Sequence, residues 1–260
     1  MMTRLMISLG SIYLVWKRYA YVYRKNIVFA VITTFVEPFL YLASFGFGLG
    51  AVIGTIDVGG IQVSYRAFVL AGIVGQTILF QSFFEAAYGS FVRMYYQKIF
   101  QAIAVTPVTI EEVLWGEIIW DASRSSTSAV AVMSIGVAIG DFSIFGVLCA
   151  IPICFIFGMI FASLGLLVSA KSQSIDSISY PQYLFIIPMF LFSGVFFPLT
   201  NLPNLIHKII FILPLTSVLS VLRTLVLGFA FEWWAPLIIM SWGLVLIPLA
   251  RKAMIKRLVA

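Results

Sequence analysis

From 144 to 170 the chain reads IFGVLCAIPICFIFGMIFASLGLLVSA, without one Asp, Glu, Lys or Arg. A run of that length and polarity has few fates. The hydrocarbon core of a bilayer, about 30 Å thick, takes around 20 apolar residues per helical span. Comparable runs occupy 27–49, 67–91, 113–140, 178–197 and 234–249, so six spans are expected. In lipid every backbone polar group has to be satisfied within the protein, which leaves helices or closed barrels. No stretch alternates apolar and polar residues as a barrel strand does. The reading is an all-α polytopic membrane protein forming a single transmembrane domain over 1–260. Its composition agrees, with 62% hydrophobic and 10% charged residues, against roughly 25% charged in soluble domains.

Residues 1–25 place Leu5, Leu9, Ile12, Tyr13 and Trp16 at helical spacing and end in Lys17, Arg18, Arg24 and Lys25, which predicts a helix lying in the membrane interface. A cleaved signal peptide fits less well, because its charges would precede the apolar stretch. Lys and Arg orient the rest. With the amino terminus inside, twelve basic residues (Arg4, Lys17, Arg18, Arg24, Lys25, Arg93, Lys98, Lys171, Arg251, Lys252, Lys256, Arg257) fall in cytoplasmic segments and three (Arg66, Lys208, Arg223) outside, with Arg124 within a span. The positive-inside rule then makes both termini cytoplasmic. The stretch 198–230 is cut by Pro198, Pro203 and Pro214 and is read as short external re-entrant helices, since proline at those points breaks a plain span. Trp233 and Trp234 mark the interface beside it. The net charge of +6 sits at the ends of apolar runs rather than on one soluble face, so no nucleic-acid partner is expected. Cys149 and Cys154 share one apolar run and read as small buried hydrophobes. The single histidine, His207, supplies no metal site within the chain.

Between the second and third spans lies RMYYQKIFQAIAVTPVTIEEVLWGE, from Arg93 to Glu117. Thr109 followed by Glu112 is a capping box, so the stretch is read as a short amphipathic helix over 95–104 of about three turns, a turn at Thr106-Pro107 and a fresh helix. A connector needs only a few polar residues. This one offers a segment that a partner can grip.

Charged residues within spans are expensive and are usually paired or functional. Glu37, Glu85, Glu117, Asp121 and Arg124 form the expected intramembrane network, with Glu37 and Glu85 set against Arg124 and with Glu117, Asp121 and Arg124 on one helix face. The alternative is that Arg124 lines a path and meets an anionic group. Phe35, Tyr41, Phe84, Tyr88, Phe190 and Phe192 are candidates for an aromatic wall along a substrate path, while most aromatics are expected to face lipid or pack. An intramembrane protease would need a histidine facing a serine at depth, and His207 lies outside the spans. No G-x-x-x-x-G-K-[ST] loop occurs, so nucleotide energy would have to enter through another subunit.

Three blocks carry a family likeness: EPFLYLASFGFGLG (37–50), FEAAYGSFVRM through TPVTIEEVLWGEIIWDASRS (84–125), and PMFLFSGVFFPLTNLPNLIHKIIFILPLT (188–216). On them the chain resembles the membrane subunit of type-2 ABC exporters, most nearly the lipooligosaccharide branch that includes the nodulation-factor exporter permease. The resemblance implies a homodimeric permease of the bacterial inner membrane that recruits two copies of a cytoplasmic ATP-binding cassette subunit. ATP and Mg would sit on that subunit, with no catalytic site, cofactor or metal in this chain. It implies a coupling helix at about Tyr95 to Thr106, with Tyr95, Tyr96, Gln97, Lys98, Phe100, Gln101, Ala104, Thr106 and Pro107 meeting the ATPase. The expected cargo is amphipathic: a lipid-linked saccharide, a lipooligosaccharide or, alternatively, a hydrophobic drug. An ion-coupled secondary transporter working without a partner is the reading from another class, and the absence of an internal repeat counts against it.

Overall fold

The computed structural model describes residues 8–199 and 210–259. Helix α1 (Leu9–Lys25) leads through Asn26 into α2 (Ile27–Ile53). Then come strands β1 (Thr55–Val58) and β2 (Ile61–Ser64), α3 (Tyr65–Tyr96), α4 (Ile99–Ala104), α5 (Ile110–Ile139), α6 (Ile144–Lys171), α7 (175–192), α8 (Pro214–Leu227) and α9 (Trp234–Val259). Among the described residues four helices are long and apolar enough to cross a membrane: α2, α3, α6 and α9. The chain is an all-α polytopic membrane protein with one small hairpin.

Helix α3 is the hub. Its side chains from Ala67 to Phe80 are buried without interruption, because α5, α6 and α8 close round it while α9 packs outside α6 and α8. Between helices in lipid the hydrophobic effect gives little, so close van der Waals approach and small residues have to hold them together. Gly116 shows this where α1 lies on α5. A Cβ there would come within 2.5 Å of Val15 Cγ1 and 2.7 Å of its Cβ. Gly116→Val is therefore expected to push α1 from its seat, costing about 1–3 kcal/mol as overpacking does. Cysteine labelling at Ile12, now buried, reads this out as faster modification. Helix α2 is the opposite case, with Val28, Phe29, Phe39 and Leu40 all more than half exposed.

Among the described residues three helices carry wide turns of the i→i+5 kind: α2 at Leu42–Leu49, α3 at both Glu85–Gly89 and Val92–Tyr96, and α7 at Gln182–Ile186. In α2 and α7 the wide turn follows a proline, Pro38 or Pro181, whose missing N–H frees a carbonyl one turn back. The Glu37-Pro38 step is thus followed by a widening within a continuous helix.

The loop after α2 also departs from expectation, which allows no strand. It folds as an antiparallel hairpin pairing Thr55 with Ser64 and Ile56 with Val63. Gly59 and Gly60 turn at φ 64° and 87°, the positive values a two-residue hairpin demands, and the Gly60 amide donates to Asp57 Oδ1 at 2.9 Å. Ile56, Val58 and Val63 rest on the core. Arg66, just beyond, makes a two-pronged ion pair with Asp141 at 2.7 and 2.9 Å, tying the hairpin end of α3 to the end of α5. Of the stretch expected as re-entrant helices, 214–227 is helix α8, while Pro203 and His207 fall outside the described residues. Cys149 and Cys154 are free thiols.

Candidate functional site

At the end of α3 away from the hairpin the chain leaves the bundle and returns. Three local signals set that excursion. Lys98 adopts a left-handed conformation at φ 53°, which ends α3 and confines the short helix to Ile99–Ala104. The amphipathic helix expected over 95–104 is therefore shorter: Tyr95 and Tyr96 finish α3, Gln97 and Lys98 form the corner, and α4 has six residues. Thr106 closes the next turn, its hydroxyl donating to the Ile103 carbonyl at 2.6 Å and accepting from the Val108 amide. Thr109 then caps α5 with the expected box, its hydroxyl accepting from Glu112 N while Glu112 Oε2 accepts from Thr109 N at 2.7 Å. The second oxygen, Glu112 Oε1, accepts from Ser8 N at 2.7 Å, so the same carboxylate pins the start of α1.

Phe100 is the buried anchor of the excursion. Around it Tyr95, Tyr96, Gln97, Lys98, Gln101, Thr106 and Pro107 all face outward, and Val105 is 88% exposed. Tyr95 stacks on Phe91 at 5.5 Å and meets Tyr96 edge-on at 5.6 Å, which stiffens an otherwise unsupported aromatic pair. A hollow of about 520 Å³ separates Tyr95, Lys98 and Gln101 from Arg257 and Leu258 of α9. Arg257 in turn donates to the carbonyls of Ala170 and Ser172 at 3.2 and 2.6 Å, satisfying groups that the end of α6 leaves open.

Directly behind this surface sits the charge cluster. Arg93 donates from Nη1 to Glu85 Oε1 at 2.7 Å, and from Nε and Nη2 to the two oxygens of Glu117 at 3.0 and 2.7 Å. Ser90 and Tyr19 hydroxyls also donate to Glu117, at 2.9 and 2.6 Å. Arg124 pairs with the remaining oxygen of Glu85. The guanidiniums lie over aromatic faces, Arg93 over Tyr19 at 4.9 Å and Arg124 over Tyr23 at 5.4 Å. Helices α1, α3 and α5 are thereby clamped at one point, with Glu117 wholly buried. Gly89 leaves the room, since a Cβ there would stand 3.0 Å from Glu85 Oε1 and 3.1 Å from Arg93 Nη1.

The structure brings Glu85, Glu117, Asp121 and Arg124 together and leaves Glu37 apart, its carboxylate accepting from Gln76 of α3 at 3.3 Å. Glu37 does not meet Arg124. Arg124 has Glu85 alone as its carboxylate partner among the described residues, and the cluster gains a second cation, Arg93, which the loop-charge count puts among the cytoplasmic cations. In a regular helix residues i and i+8 stand about 80° apart, whereas i and i+7 are only about 20° apart. The extra residue of the wide turn at Glu85–Gly89 makes the eight-residue step behave like seven and turns Arg93 onto the Glu85 face. Asp121, fully buried, has neither carboxyl oxygen hydrogen-bonded among the described residues.

A cleft of about 490 Å³ opens beside the cluster, lined by Arg18, Tyr23, Tyr88, Gln97, Trp120 and Arg124 among others. From Tyr88 a file of rings runs along the molecule: Phe84 at 6.2 Å, Phe80 at 5.3 Å from Phe84, Phe190 at 5.1 Å from Phe80, then Tyr41 and Phe196 at 6.0 and 5.4 Å from Phe190. Tyr88 is oriented by Gln182 of α7, to which its hydroxyl donates at 2.7 Å. Of the residues proposed for an aromatic wall, Tyr41, Phe84, Tyr88 and Phe190 belong to this file, while Phe35 and Phe192 are exposed outside it.

Comparison with known proteins bears on what this arrangement serves. Residues 10–227 match the family model described as ABC-2 type transporter. Nodulation protein J of Rhizobium meliloti (strain 1021) is 33% identical over 214 residues, covering 82% of this chain and 80% of its own. Nodulation protein J of Rhizobium leguminosarum bv. viciae is 32% identical, covering 82% and 81%. Inner membrane transport permease YadH of Escherichia coli (strain K12) is 23% identical over 82% of each chain.

Proposed function

The chain belongs to the ABC-2 type transporter family, and from that premise we propose that it is the permease of an exporter driven by a separate ATP-binding cassette subunit. It works as one of two copies in a bacterial inner membrane, with six spans and both termini cytoplasmic. α4 and the Tyr95-Tyr96-Lys98 corner dock on the ATPase, which holds the ATP and Mg. The cargo is a lipid-linked saccharide or lipooligosaccharide. A hydrophobic drug is the alternative cargo.

One observation carries this reading: the exposed aromatic corner ends the same helix that carries the Arg93 clamp. A push on Tyr95 and Tyr96 travels through the last turn of α3 to a point where α5 is held by ion pairs and α1 by the Tyr19 hydrogen bond and ring contacts, so three helices move together. Packed interfaces of this sort shift between discrete arrangements rather than deforming smoothly. Closure of the ATPase pair would rock these bodies and alternate access between the two sides. The polar head of the cargo would enter the cleft beside Arg18 and Arg124, with its apolar part along the ring file from Tyr88 to Phe196.

The test is reconstitution. Proteoliposomes holding this chain and its partner ATPase are expected to move a fluorescent lipid-linked oligosaccharide only with ATP. Movement by the lone chain under an ion gradient would remove the proposal.

A further inference from the structure

At the hairpin end of the bundle, some 40 Å along α3 from Arg93, lies a cation that the export reading leaves unused. Arg223 of α8 is 8% exposed. Its guanidinium sits 3.7 Å above the Phe68 ring centroid, and Nη2 donates to the Gly194 carbonyl at 2.7 Å. Among the described residues Nε is buried without a partner and no carboxylate pairs with the side chain. Arg66, Arg93 and Arg124 each have one. A buried charge left uncompensated is strongly unfavourable, so an unpaired buried guanidinium marks a place where an anion belongs.

Arg223 lines a cavity of about 260 Å³. A second orphan lines it too: Thr216 Oγ1, on a residue 3% exposed, has no hydrogen-bond partner among the described residues. One wall is the ring pair Phe211 and Trp234, with centroids 3.5 Å apart. At the exposed side Glu232 accepts from the Ser220 hydroxyl at 2.6 Å. The cavity is thus cationic inside, flat and aromatic along one wall, and acidic with hydroxyls at its mouth. Its size lies just under the small-molecule range of about 300–1,000 Å³, room for one sugar ring with a charged substituent.

We propose that this cavity binds a sugar bearing a phosphate or carboxylate. The anionic group goes inward to Arg223 and Thr216, the ring lies against Trp234, and the ring hydroxyls donate to Glu232. Guanidinium geometry matches such oxyanions in two-pronged fashion. The inference stands apart from the export reading, because it concerns binding alone and needs no partner ATPase.

Calorimetric titration of the full chain in phosphatidylcholine nanodiscs tests it. Glucose 1-phosphate is expected to bind saturably, inorganic phosphate roughly tenfold more weakly, and glucose without measurable heat, since the charge-assisted bonds carry most of the affinity. Arg223→Gln, which can still donate to Gly194, is expected to abolish binding. Glu232→Gln, which keeps an acceptor for the ring hydroxyls but removes its charge, is expected to weaken glucose 1-phosphate several-fold while leaving inorganic phosphate no weaker. Absence of binding to wild type, or unchanged affinity in a folded Arg223→Gln, overturns the proposal. So does inorganic phosphate binding as tightly as the sugar phosphate, and so does competition by phosphatidylglycerol in the disc, which would make this a lipid headgroup site. Should Arg223→Gln not fold, Glu232→Gln decides: unchanged or tighter glucose 1-phosphate affinity overturns it.

Discussion

Arg93→Ala is expected to destabilise the purified chain by about 3–5 kcal/mol, the range found when one partner of a buried ion pair is removed and the other stays behind. Here two partners stay behind. Glu85 and Glu117 would both lose their principal cation, with Glu117 wholly buried and only the Ser90 and Tyr19 hydroxyls left to donate to it. At roughly 2–4 °C per kcal/mol for a chain of this size, the apparent melting temperature in detergent should fall by about 10 °C. Arg93→Lys keeps the charge but cannot span Glu85 and both oxygens of Glu117, so it should fall between the two. A loss below about 2 °C for Arg93→Ala would mean that the clamp does not hold α1, α3 and α5 together.

The second large effect has the opposite signature. Tyr95→Ser combined with Tyr96→Ser and Lys98→Asp is expected to reduce ATP-driven transport at least tenfold, with the melting temperature of the lone chain moved by no more than about 2 °C. All three side chains are exposed, and substitutions there lie within about 0.5 kcal/mol of neutral when no partner is present. Loss of aromatic anchors at an interface costs far more, commonly 2 kcal/mol or above for each hot spot. Phe100→Ala makes the contrast, because it empties a buried anchor and should lower stability and transport together. Full transport by the triple variant would show that the ATPase engages some other surface.

How much of this could be read from residues alone depends on the kind of signal. The helical, membrane-embedded character follows from the length of the apolar runs, and the start of α5 from Thr109 and Glu112. Arg93 escapes because periodicity assumes 3.6 residues per turn, and the wide turn that brings it to Glu85 leaves no mark stronger than Gly89. Glu37 is misassigned for a related reason: two opposite charges within spans read as partners, yet residues on different helices face different neighbours, and Glu37 faces Gln76. The hairpin hides in a strand pair of four residues each, with Gly59-Gly60 its one clear turn signal. Counting Arg223 among external loop charges is the most consequential miss, since α8 buries it against Phe68.

The wide turns of α3 have a consequence of their own. Each holds one surplus residue, and if it tightened to ordinary winding everything beyond would screw forward by about 1.5 Å and swing through about 100°. Two such reserves lie within the twelve residues from Glu85 to Tyr96, next to the corner that points out of the bundle. The threaded end of this rod can therefore be rewound one notch at a time while its middle, wedged among three neighbours, stays still.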